Sequence, residues 1–159
     1  MSWEERVAAV WDDASLGDDA VIERMRALAE QAPTLSVGLF ELAGAHDSAG
    51  REEEADVLYR AAVDAGLAAD DPAREAQRVI QHASTLRNLD RLDEAIAMLE
   101  AAAPHPSTGA AREAFLALAL HSAGRGDEAL RLALEALAPT LPLYRRSVLA
   151  YAEELTSPA

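Results

Sequence analysis

The sequence of 159 residues contains no cysteine and no lysine, and only 4% of its residues are aromatic. The lack of cysteine excludes disulfides, thiolate metal sites and cysteine nucleophiles. Proteins that bind nucleic acids or anionic membranes use clustered lysine and arginine. Here 28 acidic residues outweigh 14 arginines and give a formal net charge of -14. We therefore expect neither nucleic acid nor a membrane as a partner.

Long apolar runs are also missing. The first residues, MSWEERVAAVWDD, are acidic where a signal peptide would have a basic segment followed by an apolar one. No run approaches the length of a membrane span. We therefore expect a cytoplasmic protein. The chain length suits a single domain over residues 1–159.

The residues that are abundant favour helices. Alanine and leucine dominate, whereas β-branched residues are scarce. Amphipathic stretches alternate with short breaks of Gly, Asp, Ser and Pro, and no segment shows the alternation of a strand. The pattern predicts helices at residues 3–14, 18–32, 36–48, 52–65, 72–88, 91–103, 108–123, 126–138 and 142–155.

An internal repeat runs through these helices. Alanine recurs in three columns that share the same spacing along the chain: Ala8, Ala43, Ala83 and Ala117; Ala20, Ala55, Ala95 and Ala129; Ala27, Ala62, Ala102 and Ala136. Small residues at a crossing point let two helices pack closely. Gly50 and Gly124 are expected to end the first helix of a pair in a left-handed conformation, with Asp90 at the same place in the third pair.

The alanine columns and the turns GREEEA (50–55), DRLDEA (90–95) and GRGDEA (124–129) resemble the tetratricopeptide repeat family. The segments FELAGAHDSAG and ASTLRNLDR are similar to a bacterial subgroup of small tetratricopeptide proteins. The resemblance implies an all-α, right-handed α–α superhelix of about four hairpins and a capping helix. The expected divisions are a degenerate hairpin at 1–33, repeats at 36–66, 72–103 and 108–138, and a cap at 141–155.

The capping helix is expected to cover the open side of the last hairpin, as terminal repeats do. Its apolar stripe is predicted to comprise Tyr144, Val148, Tyr151 and Leu155. At the other end, Trp3 and Trp11 flank Val7 and Val10 on the first helix. This second stripe either packs on the following helices or serves self-association.

The resemblance further implies a concave face made by the first helix of each hairpin, which usually holds a peptide or a partner helix. The residues expected there are Phe40, Asp47, Ile80, Ser84, Arg87, Asn88, Phe115 and His121. Apolar side chains would provide affinity, and Arg87 and Asn88 would donate hydrogen bonds to a backbone or carboxylate. Alternatively, Asp47 and Arg87 form an ion pair between repeats.

Motifs for metal binding and catalysis are missing from the pattern. The four histidines, His46, His82, His105 and His121, have no short-spaced ligand pair, so we expect no metal. His82 falls in an apolar column and is expected to be a buried, neutral, hydrogen-bonded imidazole. No nucleophile elbow or glycine-rich phosphate loop is present, so we expect neither a cofactor nor an enzyme.

Two functional hypotheses follow. The first is a protein-interaction module, an adaptor or regulator that binds a protein or peptide segment in its concave groove. The alternative is a structural homodimer assembled through the terminal helices, without a separate ligand.

Overall fold

The computed structural model describes residues 1–157, and every regular element in this range is helical. The helices are α1 (Trp3–Asp12), α2 (Asp18–Ala29), α3 (Leu35–Ser48), α4 (Glu52–Asp64), α5 (Leu67–Asp70), α6 (Pro72–Asn88), α7 (Leu92–Ala101), α8 (Ala111–Ser122), α9 (Gly126–Leu137) and α10 (Arg145–Glu154). A 3₁₀ turn at Ala138–Thr140 precedes α10. All nine predicted helices are present, and α5 is an addition.

The helices pack as a linear series of hairpins. The pairs are α1 with α2, α3 with α4, α6 with α7 and α8 with α9. The second helix of each pair also contacts the helix that follows it, and α6 contacts both α3 and α8. This nearest-neighbour packing confirms the all-α repeat solenoid that the sequence predicts. Among residues 1–157, no helix is both long and apolar enough to span a membrane.

The turns inside the last three hairpins share one geometry. Gly50, Asp90 and Gly124 have φ angles of 68°, 59° and 77°, as predicted for left-handed residues. The arginine that follows each of them donates its backbone N–H to a carbonyl five residues earlier, at 2.9 Å in all three turns. This bond satisfies a carbonyl that the helix end leaves free. The recurring Gly-Arg or Asp-Arg pair therefore encodes the reversal of the chain.

The alanine columns mark the helix crossings in these three hairpins. Ala43, Ala55, Ala62 and Ala95 are fully buried, and Ala83, Ala117 and Ala129 are nearly so. Ala102 and Ala136 are half-buried. Methyl-sized side chains at these places let neighbouring helices approach closely.

The predicted register of the first hairpin is wrong. Ala8 and Ala27 are exposed and Ala20 is only half-buried, whereas Val10 and Ile22 belong to the core. When the turn residue Gly17 is aligned with Gly50, Val10 falls on Ala43 and Ile22 falls on Ala55. Larger side chains thus occupy the crossing positions of this hairpin.

The extra residues between the second and third hairpins form α5. Gly66 enters it with a φ of 95°, and Leu67 is fully buried in the core of α3 and α4. The Ser36 hydroxyl donates to Asp70 Oδ2 at 2.5 Å. Asp71 then caps α6 by accepting from the Arg74 N–H. The insertion therefore packs as part of the solenoid and sets where α6 begins.

The predicted apolar stripe of the last helix is only partly correct. Val148 and Leu155 are half-buried. Among the described residues of α10, Ala152 is the one that is fully buried. Tyr144 and Tyr151 are 77% and 67% exposed. Because α10 packs on α9 through small and medium side chains, both tyrosines remain at the surface.

Candidate binding groove

Three first helices of successive hairpins enclose a pocket of about 290 Å³. We call it the N-terminal pocket; it lies between α1, α3 and α6. The lining residues with polar or aromatic groups are Glu4, Trp11, Glu41, Arg74, Gln77 and Gln81. The pocket therefore lies on the side formed by the first helices of the hairpins, where the sequence analysis expects the groove.

Trp11 forms one wall of this pocket. The residue is 41% exposed, and its Nε1–H donates to Glu41 Oε2 at 3.3 Å. A β-carbon on Gly44 would lie 3.6 Å from the indole ring, at ordinary van der Waals distance, so the ring lies directly over this part of α3. Trp3, in contrast, is half-buried and donates to the Leu28 carbonyl at 2.8 Å. The stripe on α1 therefore packs on α2 and α3, except for the exposed part of Trp11.

Arg74 crosses the opposite wall and is held by three carboxylates. Its guanidinium donates to Glu4 at 2.5 Å, to Asp71 at 2.7 Å and to Glu41 at 2.9 Å. Burial alone would lower the pKa of Arg74, but these hydrogen bonds raise it overall. One guanidinium among three carboxylates leaves two negative charges uncompensated. This cluster beside the pocket is therefore acidic overall.

Two glutamines follow one another along α6. Gln77 is exposed, and Gln81, one helical turn later, is half-buried. The Tyr59 hydroxyl lies 3.2 Å from Gln81 Oε1 and 3.4 Å from Asp47 Oδ2, so its single proton is shared between these two acceptors. The two glutamines present amide groups from a single helix face, because residues four apart are neighbours on a helix.

Some of the residues predicted from the sequence form the floor beneath the groove. Phe40 and Ile80 are 4% and 8% exposed, and the Phe40 ring lies 6.4 Å from that of Tyr59. Asp47 is half-buried and accepts from Thr85 at 2.7 Å and from Tyr59 at 3.4 Å. Burial raises the pKa of Asp47. These contacts replace the alternative ion pair of Asp47 with Arg87.

The other predicted residues are more accessible. Asn88 and His121 are exposed, and Ser84, Arg87 and Phe115 are half-buried. Arg87 donates from Nε to the Ser122 hydroxyl at 2.8 Å, which links α6 to α8. Within residues 1–157, Arg87 forms no ion pair. Its charge is therefore available to a ligand.

Sequence reasoning missed Trp11, Gln77 and Gln81 as groove residues. Trp11 was missed because the predicted register of the first hairpin is wrong. Gln77 and Gln81 lie on α6, outside that hairpin, and nothing in the sequence distinguishes them from glutamines on any other polar helix face. With Gly17 aligned on Gly50, Trp11 aligns with Gly44 on the inner face. The matching positions of these two turn glycines are the signal that could have found it.

A buried polar cluster supports the groove from behind. His82 is 2% exposed and stacks on Tyr59, with 5.2 Å between the ring centres. Its Nε2 lies 2.6 Å from Asp56 Oδ1, and its Nδ1 lies 3.2 Å from Arg78 Nη1. Burial lowers the pKa of His82. A neutral ring that donates from Nε2 and accepts at Nδ1 fits this geometry, as the sequence predicts.

The described residues offer no arrangement that would hold a metal: residues 1–157 contain no group of three or more His, Asp or Glu side chains placed for one. The polar groups of the groove are instead amides, a guanidinium and carboxylates on helix faces. Such groups suit hydrogen bonding to another chain.

The packing of successive helical hairpins defines a helical repeat protein. A family model described as "Tetratrico peptide repeat" matches residues 36–155, whereas no curated protein and no solved structure matches the chain. The chain therefore belongs to the tetratricopeptide repeat family. This repeat is a non-catalytic fold that generally mediates protein–protein interaction.

Proposed function

We propose that this protein is an interaction module that holds a peptide segment or partner helix along the groove of α1, α3, α6 and α8. The observation that carries the proposal is the N-terminal pocket between α1, α3 and α6, which is lined by a tryptophan that is 41% exposed. Aromatic side chains that are partly exposed in a concave site are frequent anchors for a partner chain.

The groove residues divide into a fixed floor and an accessible rim. Phe40, Asp47 and Ile80 hold the inner helices in place. Ser84, Arg87, Asn88, Phe115 and His121 would contact the partner in the half of the groove formed by α6 and α8. A rigid floor favours binding because less conformational entropy is lost when the partner docks.

The experiment is affinity purification of the tagged full chain from its native cell. Arg87→Ala combined with Asn88→Ala removes the donors of the rim. Arg26→Ala is the control, because it removes an exposed arginine of α2, outside the groove. We expect a partner that is retained by the wild type and by the control and lost from the double variant. Equal recovery with all three proteins would show that this surface is not the site.

A second candidate function, the structural homodimer, is favoured by the C-terminal end of the solenoid. Leu143, Tyr144 and Tyr151 are largely exposed, at 66%, 77% and 67%. Apolar surface at the end of a repeat stack is suited to a two-fold contact between copies. In this case the partner would be a second copy of the chain.

Light scattering over a wide concentration range tests the homodimer. A dimer would have twice the monomer mass, would dissociate in Tyr151→Glu and would persist in Ser147→Glu, which adds the same charge at an exposed polar residue of α10. A strict monomer at every concentration rules this candidate out.

We further propose that the protein works in the cytoplasm, without catalytic activity and without nucleic acid or membrane as partner. The formal net charge of -14 and the lack of lysine support the part of this proposal that excludes nucleic acid and anionic membranes. Cell fractionation with antibody detection tests the location, and recovery in a membrane or secreted fraction would contradict it.

A further inference from the structure

The N-terminal pocket lies in the most acidic part of the protein. Residues 1–70 contain 16 acidic residues and 5 arginines, a net charge of -11. In the pocket itself, Glu4 keeps 58% of its side chain exposed although it pairs with Arg74. Because Arg74 is already bonded to Glu4, Glu41 and Asp71, its single charge does not neutralise the site. The local field therefore attracts a cation.

Trp11 offers a second feature that favours a cation. The face of an indole ring carries negative electrostatic potential and attracts guanidinium or ammonium groups, more strongly than the other aromatic rings do. The exposed part of the Trp11 ring lines the same pocket as Glu4. A cation in the pocket would therefore meet a carboxylate and an aromatic face together.

Gln77 and Gln81 suit the backbone that would carry this cation. Residues four apart on a helix are separated by about 6 Å along its axis, at about 1.5 Å per residue. Alternate residues of an extended chain are about 6.6 Å apart. The two amides can therefore bond to alternate backbone groups of an extended peptide that runs along α6.

We propose that the N-terminal pocket binds an arginine or lysine side chain of an extended peptide, with the cation between Trp11 and Glu4 and the peptide backbone on Gln77 and Gln81. This proposal rests on the proposed function, because it assigns the chemistry of the partner at one end of the same groove. The partner is then a basic segment of a protein.

The test begins with an array of random nonapeptides that are acetylated at the N-terminus and amidated at the C-terminus. Acetylation ensures that any cation is a side chain, and a second synthesis with a free amino terminus shows whether that group binds instead. The full-length protein is applied to the array. We expect arginine and lysine to be enriched among the retained peptides and Asp and Glu to be depleted.

The strongest binder is then measured in solution by fluorescence anisotropy. Replacing its arginine with citrulline, or its lysine with acetyllysine, removes the charge at nearly constant shape and should weaken binding about tenfold. Glu4→Gln and Trp11→Leu should weaken binding by a similar factor. Glu23→Gln makes the same charge change on α2, outside the pocket, and should leave affinity unchanged.

Three results would overturn this inference: no enrichment of basic residues, equal binding of the uncharged peptide, or equal effects of Glu4→Gln and Glu23→Gln. The comparison of the arginine and citrulline peptides uses the wild-type protein, so it tests the inference even if a protein variant folds poorly. The same measurements distinguish a failure of this inference from a failure of the proposed function. If the retained peptides are not basic but bind the double variant Arg87→Ala, Asn88→Ala more weakly than the wild type, the groove binds peptides of another kind and the proposed function stands. If no groove variant changes binding, both proposals fail.

Discussion

Asp56 joins three helices through one carboxylate. It accepts from His82 at 2.6 Å, from Arg91 at 2.6 Å and from Arg60 at 3.0 Å. Burial alone would raise the pKa of Asp56, but the hydrogen bonds from His82 and Arg91 lower it overall. A buried polar group stabilises a fold only when it is fully bonded. Removal of one partner at this site therefore affects α4, α6 and α7 together.

The protonation of His82 should make stability depend on pH. Burial and the adjacent Arg78 favour the neutral ring, although Asp56 opposes them, and the pKa lies below its ordinary value of 6.5. When the pH falls below about 6.5, the unfolded chain binds a proton that the folded chain does not. The free energy of unfolding should therefore be highest above that pH and fall as the solution is acidified.

The variant His82→Gln should lose part of this pH dependence. Urea unfolding at pH 7.5 and at pH 5.5 measures it for both proteins. We expect a smaller decrease in stability for His82→Gln than for the wild type, with a remainder from His46, whose pKa is also lowered by burial. An equal decrease in both proteins would show that His82 is not held neutral.

At the scale of helices, the alanine columns and the left-handed turns decide the architecture. Both could be predicted from the sequence, because a methyl group at a crossing and a Gly-Arg or Asp-Arg turn are local requirements that recur in the last three hairpins. The register of the first hairpin could not be predicted from alanine alone, since Val10 and Ile22 perform the same role with larger side chains. Only contacts between helices distinguish these cases.

Two matched alanines test the role of the columns. Ala62 is fully buried, whereas Ala27, assigned from the sequence to the same column, is exposed. We expect Ala62→Leu to lower the free energy of unfolding by about 1 to 3 kcal/mol because it overpacks the crossing. Ala27→Leu should change it by less than about 0.5 kcal/mol. Denaturant unfolding measures both, and similar losses for the two variants would be inconsistent with the crossings described.

The end of the chain shows a second limit of prediction at this scale. A helical period places Tyr144, Val148, Tyr151 and Leu155 on one face, but the surface of α9 that receives α10 buries Ala152 instead. The period of a helix does not specify which part of its apolar face the neighbour covers. For the same reason, the sequence places Phe40 and Ile80 on the correct helices but does not show that their side chains are buried beneath the groove.

At the scale of the whole molecule, each hairpin is stabilised mainly by its neighbours. The third hairpin, α6 with α7, contacts elements on both sides, whereas α10 packs on α9 and the preceding 3₁₀ turn. In a solenoid, stability is approximately the sum of the hairpins and the interfaces between them. The local free energy of opening should therefore be greatest in the centre and lowest at α10.

Native-state hydrogen exchange measures this gradient. We expect the slowest amides in α3, α6 and α7, and the fastest helical amides in α10, because this terminal helix packs only on α9 and the 3₁₀ turn and its buried residue is Ala152 alone among those described. Uniform protection across all helices would instead indicate one cooperative unit.

The central claim is that the inner face of this solenoid binds another protein. Site-specific photo-crosslinking in the native cell tests it most directly, with a photoreactive phenylalanine at Asn88 in the groove or at Val57, which is 65% exposed on α4. The account predicts an adduct with a different protein from position 88 and little or none from position 57. An adduct from position 57 alone, or adducts only between copies of this chain, would contradict it.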